Sequence, residues 1–213
     1  MRRFRARALG LNGAVLAFAA LAACQKVANE PGSPTTYSDP AGPGLVRGVG
    51  IESQDIVSMT DQMMRDILTQ PRLAAQKKPP SVIVDSGYFK NESASVINKN
   101  TITDRLRVSL NRAAAGRMVF IGRHYAGMVE RERDVKRHGV TDKGTTETTE
   151  AQKGADYRLG GRITSVDTRD ARAGAVTRYN QIVFEMVDLE TGEIVWSGIY
   201  EFTKSMQDDV VYR

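Results

Sequence analysis

Enzyme chemistry needs nucleophiles, imidazoles and carboxylates at working spacings, and this 213-residue chain is short of the first two. Its single thiol is Cys24, and its two imidazoles are His124 and His138. Neither histidine has another at i+4 or sits in an H-E-x-x-H stretch, the helical spacing that sets two rings around zinc on one face, so no metal site is expected. His138, beside Gly139, reads as a surface-loop residue. No G-x-S-x-G elbow presents a serine for acyl transfer. The 25 acidic residues could supply the paired carboxylates of glycan cleavage, but aromatic residues, the usual platforms for sugar rings, are only 7% of the chain. Gly48-Val49-Gly50 and Gly160-Gly161 lack the spacing of a phosphate-cradling loop. These residues imply no catalytic group and no cofactor: a domain that acts by contact, and not an enzyme.

Cys24 has another chemistry open to it. Arg2, Arg3, Arg5 and Arg7 precede an apolar run over 14–21, the layout of a secretory signal peptide. Leu21-Ala22-Ala23-Cys24 resembles the lipobox of bacterial lipoproteins, in which the thiol receives a diacylglycerol, the leader 1–23 is removed and the new amino terminus is acylated, commonly with palmitate. The plainer reading is an ordinary signal peptide with a cysteine nearby. Gln25 in place of Asp, by the same resemblance, implies sorting to the outer membrane, with the domain on its periplasmic face. Loss of the leader also changes the charge. Four of the 30 basic side chains and none of the 25 acidic ones lie in it, so the formal +5 falls to +1, and a near-neutral surface excludes nucleic acid as a partner. With the thiol consumed by lipid no disulfide is expected, and about 160 residues are enough to bury a core without one.

The elements that would position any contact surface follow in order. Residues 24–50 hold four of the seven prolines and no hydrophobic periodicity, and read as a lipidated cysteine followed by a disordered linker. The globular domain is expected over 51–213. Ile56, Met59, Met63 and Ile67 share one helical face that Pro71 ends; the methionines read as core, the other reading being an adaptable partner groove. A strand over 81–85, a loop over 91–100, a helix over 101–115 with Thr101 as cap and Ile102, Leu106, Leu110 and Ala113 inward, and a strand over 118–121 form one β-α-β crossover. A charged, solvated helix follows over 125–137, then a Thr/Gly-rich stretch and a short helix around 150–153. The last third is sheet. Tyr157, Leu159, Gly161 and Ile163 alternate with Arg158, Gly160, Arg162 and Thr164, giving one dry and one wet face. A long loop over 167–178 leads to Ile182, Phe184 and Met186 pointing inward, a tight hairpin at Gly192, and a last strand lined by Ile194, Trp196, Gly198, Tyr200 and Phe202. The fold class is α/β: a single domain whose mixed sheet has a β-α-β crossover followed by an antiparallel meander, with helices packed on it.

Three stretches bring in a family. Ile83-Val84-Asp85-Ser86 with Asn91, Gly154-Ala155-Asp156-Tyr157, and Thr191-Gly192-Glu193-Ile194-Val195-Trp196-Ser197-Gly198 are similar, over residues 53–205, to the LpoB family. Its members are outer-membrane lipoproteins that activate class A penicillin-binding proteins, the bifunctional peptidoglycan synthases. The resemblance implies a fold like the amino-terminal domain of TolB, no catalytic residues, and docking on a small non-catalytic domain of the synthase. The wet face carrying Arg158, Arg162 and Thr164, two arginines beside a glycine gap, is the expected partner-binding surface of a monomer; the plain alternative is that these residues only solubilise the strand. A second function stays open. The meander's exposed edge would suit a structural lipoprotein that self-associates or joins a secretion or flagellar complex.

Overall fold

In a computed structural model of the chain, the described residues are 35, 37–42, 48–74, 76–146, 151–170 and 174–207. Two units are distinguished, Met1–Ser38 and Asp39–Arg213. Of the first only Thr35, Tyr37 and Ser38 are described, all exposed. The leader, Cys24 and most of 25–50 lie outside the described residues, as do 208–213.

The second unit begins its regular structure with α1 (Ser53–Thr69), followed by the single turn α2 (Pro71–Ala74). Asp55 accepts the Glu52 backbone N–H at 2.8 Å, closing a capping box at the first turn of α1. Met59, Met63 and Ile67 are buried, so the methionine stripe is core. β1 (Ser81–Glu92) is longer than the apolar run suggests and takes Asn91 and Glu92 out of the expected loop. α3 (Lys99–Ala114) is capped by Asn98, whose side chain accepts from the Asn100 N–H at 3.0 Å, and not by Thr101. Its inner stripe is Ile102, Leu106, Leu110 and Ala114; Ala113 sits one position off that face. β2 (Val119–Phe120) pairs parallel with β1 and completes the crossover. A 3-10 turn, Arg123–Tyr125, leads into α4 (Ala126–Arg137), which has no buried residue.

β3 (Tyr157–Asp170), β4 (Ala175–Asp188) and β5 (Ile194–Gln207) form the antiparallel meander, and the five strands lie in the order β2-β1-β3-β4-β5. Three expectations are corrected. Residues 151–153 form no helix, Glu150 lying outside the described residues. Most of the expected loop over 167–178 is strand: Asp167 pairs with Arg178 and Asp170 with Ala175, because Arg178 reaches back to Asp167 with two guanidinium hydrogen bonds and makes a polar stretch pair well. Ile194 is 52% exposed, not inward, because the β4–β5 register shifts at Met186/Val187. Val195 is the extra residue, and both it and Trp196 are buried.

Two layers result. α1 and α3 cover one face of the sheet, where Val82, Val84, Leu159, Ile163, Ile182, Phe184, Met186 and Trp196 meet their apolar stripes. Each such side chain contributes roughly 1.5–3 kcal/mol when fully buried. Phe89 and Phe184 stack at the centre, ring centroids 4.9 Å apart. Gly161 is fixed by that packing: a Cβ there would stand 2.3 Å from the Val183 carbonyl oxygen and 3.0 Å from the Phe89 ring. Asn180 of β4 donates to the Val49 carbonyl at 3.1 Å, and Lys204 of β5 donates to the Gly50 carbonyl at 3.0 Å and to Asp55 at 2.6 Å. The segment entering α1 is thereby laced onto the meander. Along the β5 edge, Gln70, the C-cap of α1, and Gln62 within it donate to the Val195 and Ile199 carbonyls at 3.0 and 3.4 Å.

Candidate partner-docking site

The pleat that sends Leu159, Ile163, Phe184 and Met186 toward the helices sends their neighbours the other way. Arg162, Ser197 and Ile199 are exposed, and Thr164, Val183, Glu185 and Val187 half-buried, with no helix among the described elements laid across them. Over β1, β3 and β4 this open face sinks into a groove of about 520 Å³. Its floor is Gly160, Gly161, Val183 and Val187. Lys90, Arg162, Glu92 and Glu185 bring charge to it, and Tyr88 and Leu189 stand on its margin.

An irregularity in β1 shapes the groove. Val84 pairs with Leu159, and the next matched pair is Phe89 with Gly161, so Asp85, Ser86, Gly87 and Tyr88 together stand opposite Gly160. Bulges of this kind bend a strand and re-aim a side chain. Arg158, from the neighbouring strand, locks it: its Nη2 donates to both Asp85 oxygens, at 2.8 and 3.0 Å, and its Cζ lies 4.4 Å from the Tyr88 ring centroid. Asp85 also accepts the Gly87 N–H at 3.0 Å. A Cβ at Gly87 would come within 2.8 Å of Arg158 Nη2, so a larger residue there has to displace the guanidinium that locks the bulge.

Of the three expected site residues, the groove takes two. Arg158 lines it but is engaged with Asp85, its side chain 24% exposed. Arg162 lines it with no ion-pair partner among the described residues. Thr164 lies outside it, one alternation further along β3, 3.5 Å from the Gln181 side-chain oxygen. Tyr88, Lys90, Val183 and Glu185 were not singled out by the sequence. Asp85-Ser86-Gly87, a turn-forming triplet set between two apolar runs, is the signal that would have announced the bulge. The hairpin that carries Leu189 to the margin is closed by Asp188, whose carboxylate accepts the N–H groups of Glu190 and Thr191 at 2.9 and 3.1 Å. Those backbone donors, Thr191 first, hold its carboxyl below the ordinary carboxylate range.

The profile of one protein family, described as peptidoglycan-synthase activator LpoB, matches residues 55–202. Among solved structures the chain is similar to the LpoB C-terminal domain from Escherichia coli, at 15% identity and a TM-score of 0.40, over 70% of this chain and 98% of that one. It is also similar to the LpoB C-terminal domain from Salmonella enterica, at 18% identity and 0.38, over 72% and 99%. A third similarity is to lipoprotein GNA1162 from Neisseria meningitidis, at 20% identity and 0.31, over 62% and 88%. No curated protein sequence matches the chain.

Proposed function

The chain belongs to the LpoB family of peptidoglycan-synthase activators, and from that premise we propose that it binds a class A penicillin-binding protein through the open face of its sheet and raises that enzyme's synthesis of peptidoglycan. The observation that carries this reading is the family match itself, which runs from the first turn of α1 to the last strand and so takes in every element that builds the groove. The geometry supports it in one respect. An uncovered sheet face with an apolar floor, an exposed tyrosine and arginines offers what protein interfaces are enriched in. Activators of this kind act on an enzyme and transform no substrate themselves.

Cys24 is the lipid-bearing residue of this reading, mooring the domain to the periplasmic face of the outer membrane, and the tether is 25–48, since Val49 and Gly50 are held by the meander and belong to the domain and not to the linker expected up to 50. At roughly 3.3–3.6 Å per residue, such a tether spans at most about 85 Å when fully extended. Two measurements test the proposal. The chain from residue 24 onward, mixed with the class A synthase of its own organism and lipid II, is expected to raise the rate of glycan polymerisation; an unchanged rate together with no detectable binding refutes it. Labelled palmitate is expected to enter the wild-type protein and not Cys24→Ser, and equal labelling of both would remove the anchor.

A further inference from the structure

The groove holds a preorganised aromatic and two cations that the fold does not neutralise, and each asks for something from outside. Resting on the docking reading above, we infer that Tyr88 is the anchor that seats the partner, that Asp85 and Arg158 are its positioning residues, and that Lys90 with Arg162 receives a single carboxylate of that partner.

Tyr88 is 66% exposed, although the next residue, Phe89, is buried in the stacked centre of the core. The bulge carries Tyr88 over Gly160, where a Cβ would lie 3.5 Å from the Tyr88 carbonyl oxygen and 3.8 Å from its Cβ. Its ring is not free to wander, because the Arg158 guanidinium lies against it and is itself held by both oxygens of Asp85. An exposed aromatic fixed in one orientation loses little conformational freedom on binding, which is what makes tyrosine an effective interface anchor.

Lys90 and Arg162 are matched residues of neighbouring parallel strands and both line the groove. Like charges placed directly across a ladder weaken the pairing. Among the described residues neither forms an ion pair, and Glu92 and Glu185 line the groove without closing on them, so no direct contact relieves that repulsion. A carboxylate brought between them removes it. Glu92 and Glu185 border the same groove, so a polyanion would meet repulsion on both sides while a lone acidic side chain beside an apolar one would not. The partner chemistry is therefore a folded protein surface presenting one Asp or Glu next to an apolar side chain that covers Val183 and Val187.

The test uses the chain from residue 24 onward and its organism's class A synthase, with binding followed by interferometry at two salt concentrations. Wild type must bind and stimulate; if it does neither, the docking reading fails and this inference with it. If it does, Tyr88→Ala is expected to weaken binding by about thirtyfold and Tyr88→Phe by no more than about threefold. Lys90→Gln with Arg162→Gln is expected to weaken it about tenfold and to flatten its salt dependence. All of these side chains reach solvent, so thermal melts within about 2 °C of wild type separate lost contact from lost fold. Asp85→Asn is expected to cost about tenfold alone and nothing further on top of Tyr88→Ala, a non-additivity that general destabilisation does not produce. Wild-type stimulation with Tyr88→Ala or the double glutamine variant binding within threefold overturns the inference and leaves the docking reading standing. Full additivity of Asp85→Asn with Tyr88→Ala overturns the positioning role. An effect of these variants on self-association alone assigns the groove to a second copy and overturns it too.

Discussion

Lys204→Met puts the lacing between α1 and the meander to a quantitative test. The lysine Nζ lies 2.6 Å from Asp55, 3.5 Å from Glu52 and 3.0 Å from the Gly50 carbonyl. The Lys204 and Asp55 side chains are only 12% and 10% exposed, so solvent screens the pair weakly. Methionine preserves the length of the stem and deletes the charge. Removing one member of a buried pair typically costs about 3–5 kcal/mol, because the other charge is stranded. Asp55 retains the Glu52 N–H at 2.8 Å and is not wholly enclosed, which brings the expected loss to about 2–3 kcal/mol. For a domain of this size that corresponds to a fall of about 5–10 °C in Tm. Urea denaturation followed by the fluorescence of Trp196, the single tryptophan, reads it directly, since its indole N–H donates to Asp66 of α1 at 2.9 Å. The sign in the second background is sharper than the magnitude. Asp55→Asn is expected to destabilise the wild type and to be neutral or stabilising beside Lys204→Met, where it removes a stranded charge while keeping the capping acceptor. A loss below about 0.5 kcal/mol for Lys204→Met, or an equal cost of Asp55→Asn in both backgrounds, refutes the assignment of buried-pair energetics to this contact.

Further outcomes follow from the core and the turns. Gly161→Ala is expected to cost at least about 3 kcal/mol or to abolish folding, measured by the same titration, since the added Cβ meets rigid backbone at 2.3 Å. Phe184→Ala is expected to cost about 3–5 kcal/mol, from the cavity and from the loss of its stack on Phe89. Asp188 is held below its ordinary value by the Thr191 and Glu190 N–H groups, and Asp167 by its hydrogen bonds to Arg178. Both therefore stabilise the fold above the ordinary carboxylate value near 3.8, and that stability disappears as pH falls below it. Carboxyl carbon NMR is expected to show the two titrating lower than unfolded-chain aspartate, and midpoints at or above that value would contradict the turn and strand geometry.

What the sequence made legible was whatever a period can carry. The stripe Met59-Met63-Ile67, the alternation of Tyr157 to Ile163 and the inward Ile182, Phe184 and Met186 follow from helical and strand repeats, and the topology follows from their order. What it concealed were the places where a side chain overrides the period. Asp167–Arg178 pairing turned a polar stretch into strand, and Asn98 took the cap from Thr101 through a contact three residues ahead of the visible pattern. The site was half legible for the same reason. Arg158 and Arg162 announce a wet face, but Tyr88 reaches it only because Asp85, Gly87 and Arg158 reset the register of β1, and that depends on partners more than 70 positions apart, such as Arg158 and Asp85, 73 residues apart.

The order of the strands also governs when this chain can fold. α1 packs against both α3 and β5, and β1 lies between β2 and β3, so the burial begun within the first half is completed only when the last third joins it. The meander, by contrast, needs nothing but adjacent hairpins. Contacts of such long sequence separation close late and slowly. The polypeptide completes its native core only when the carboxyl-terminal strand β5 has closed on α1.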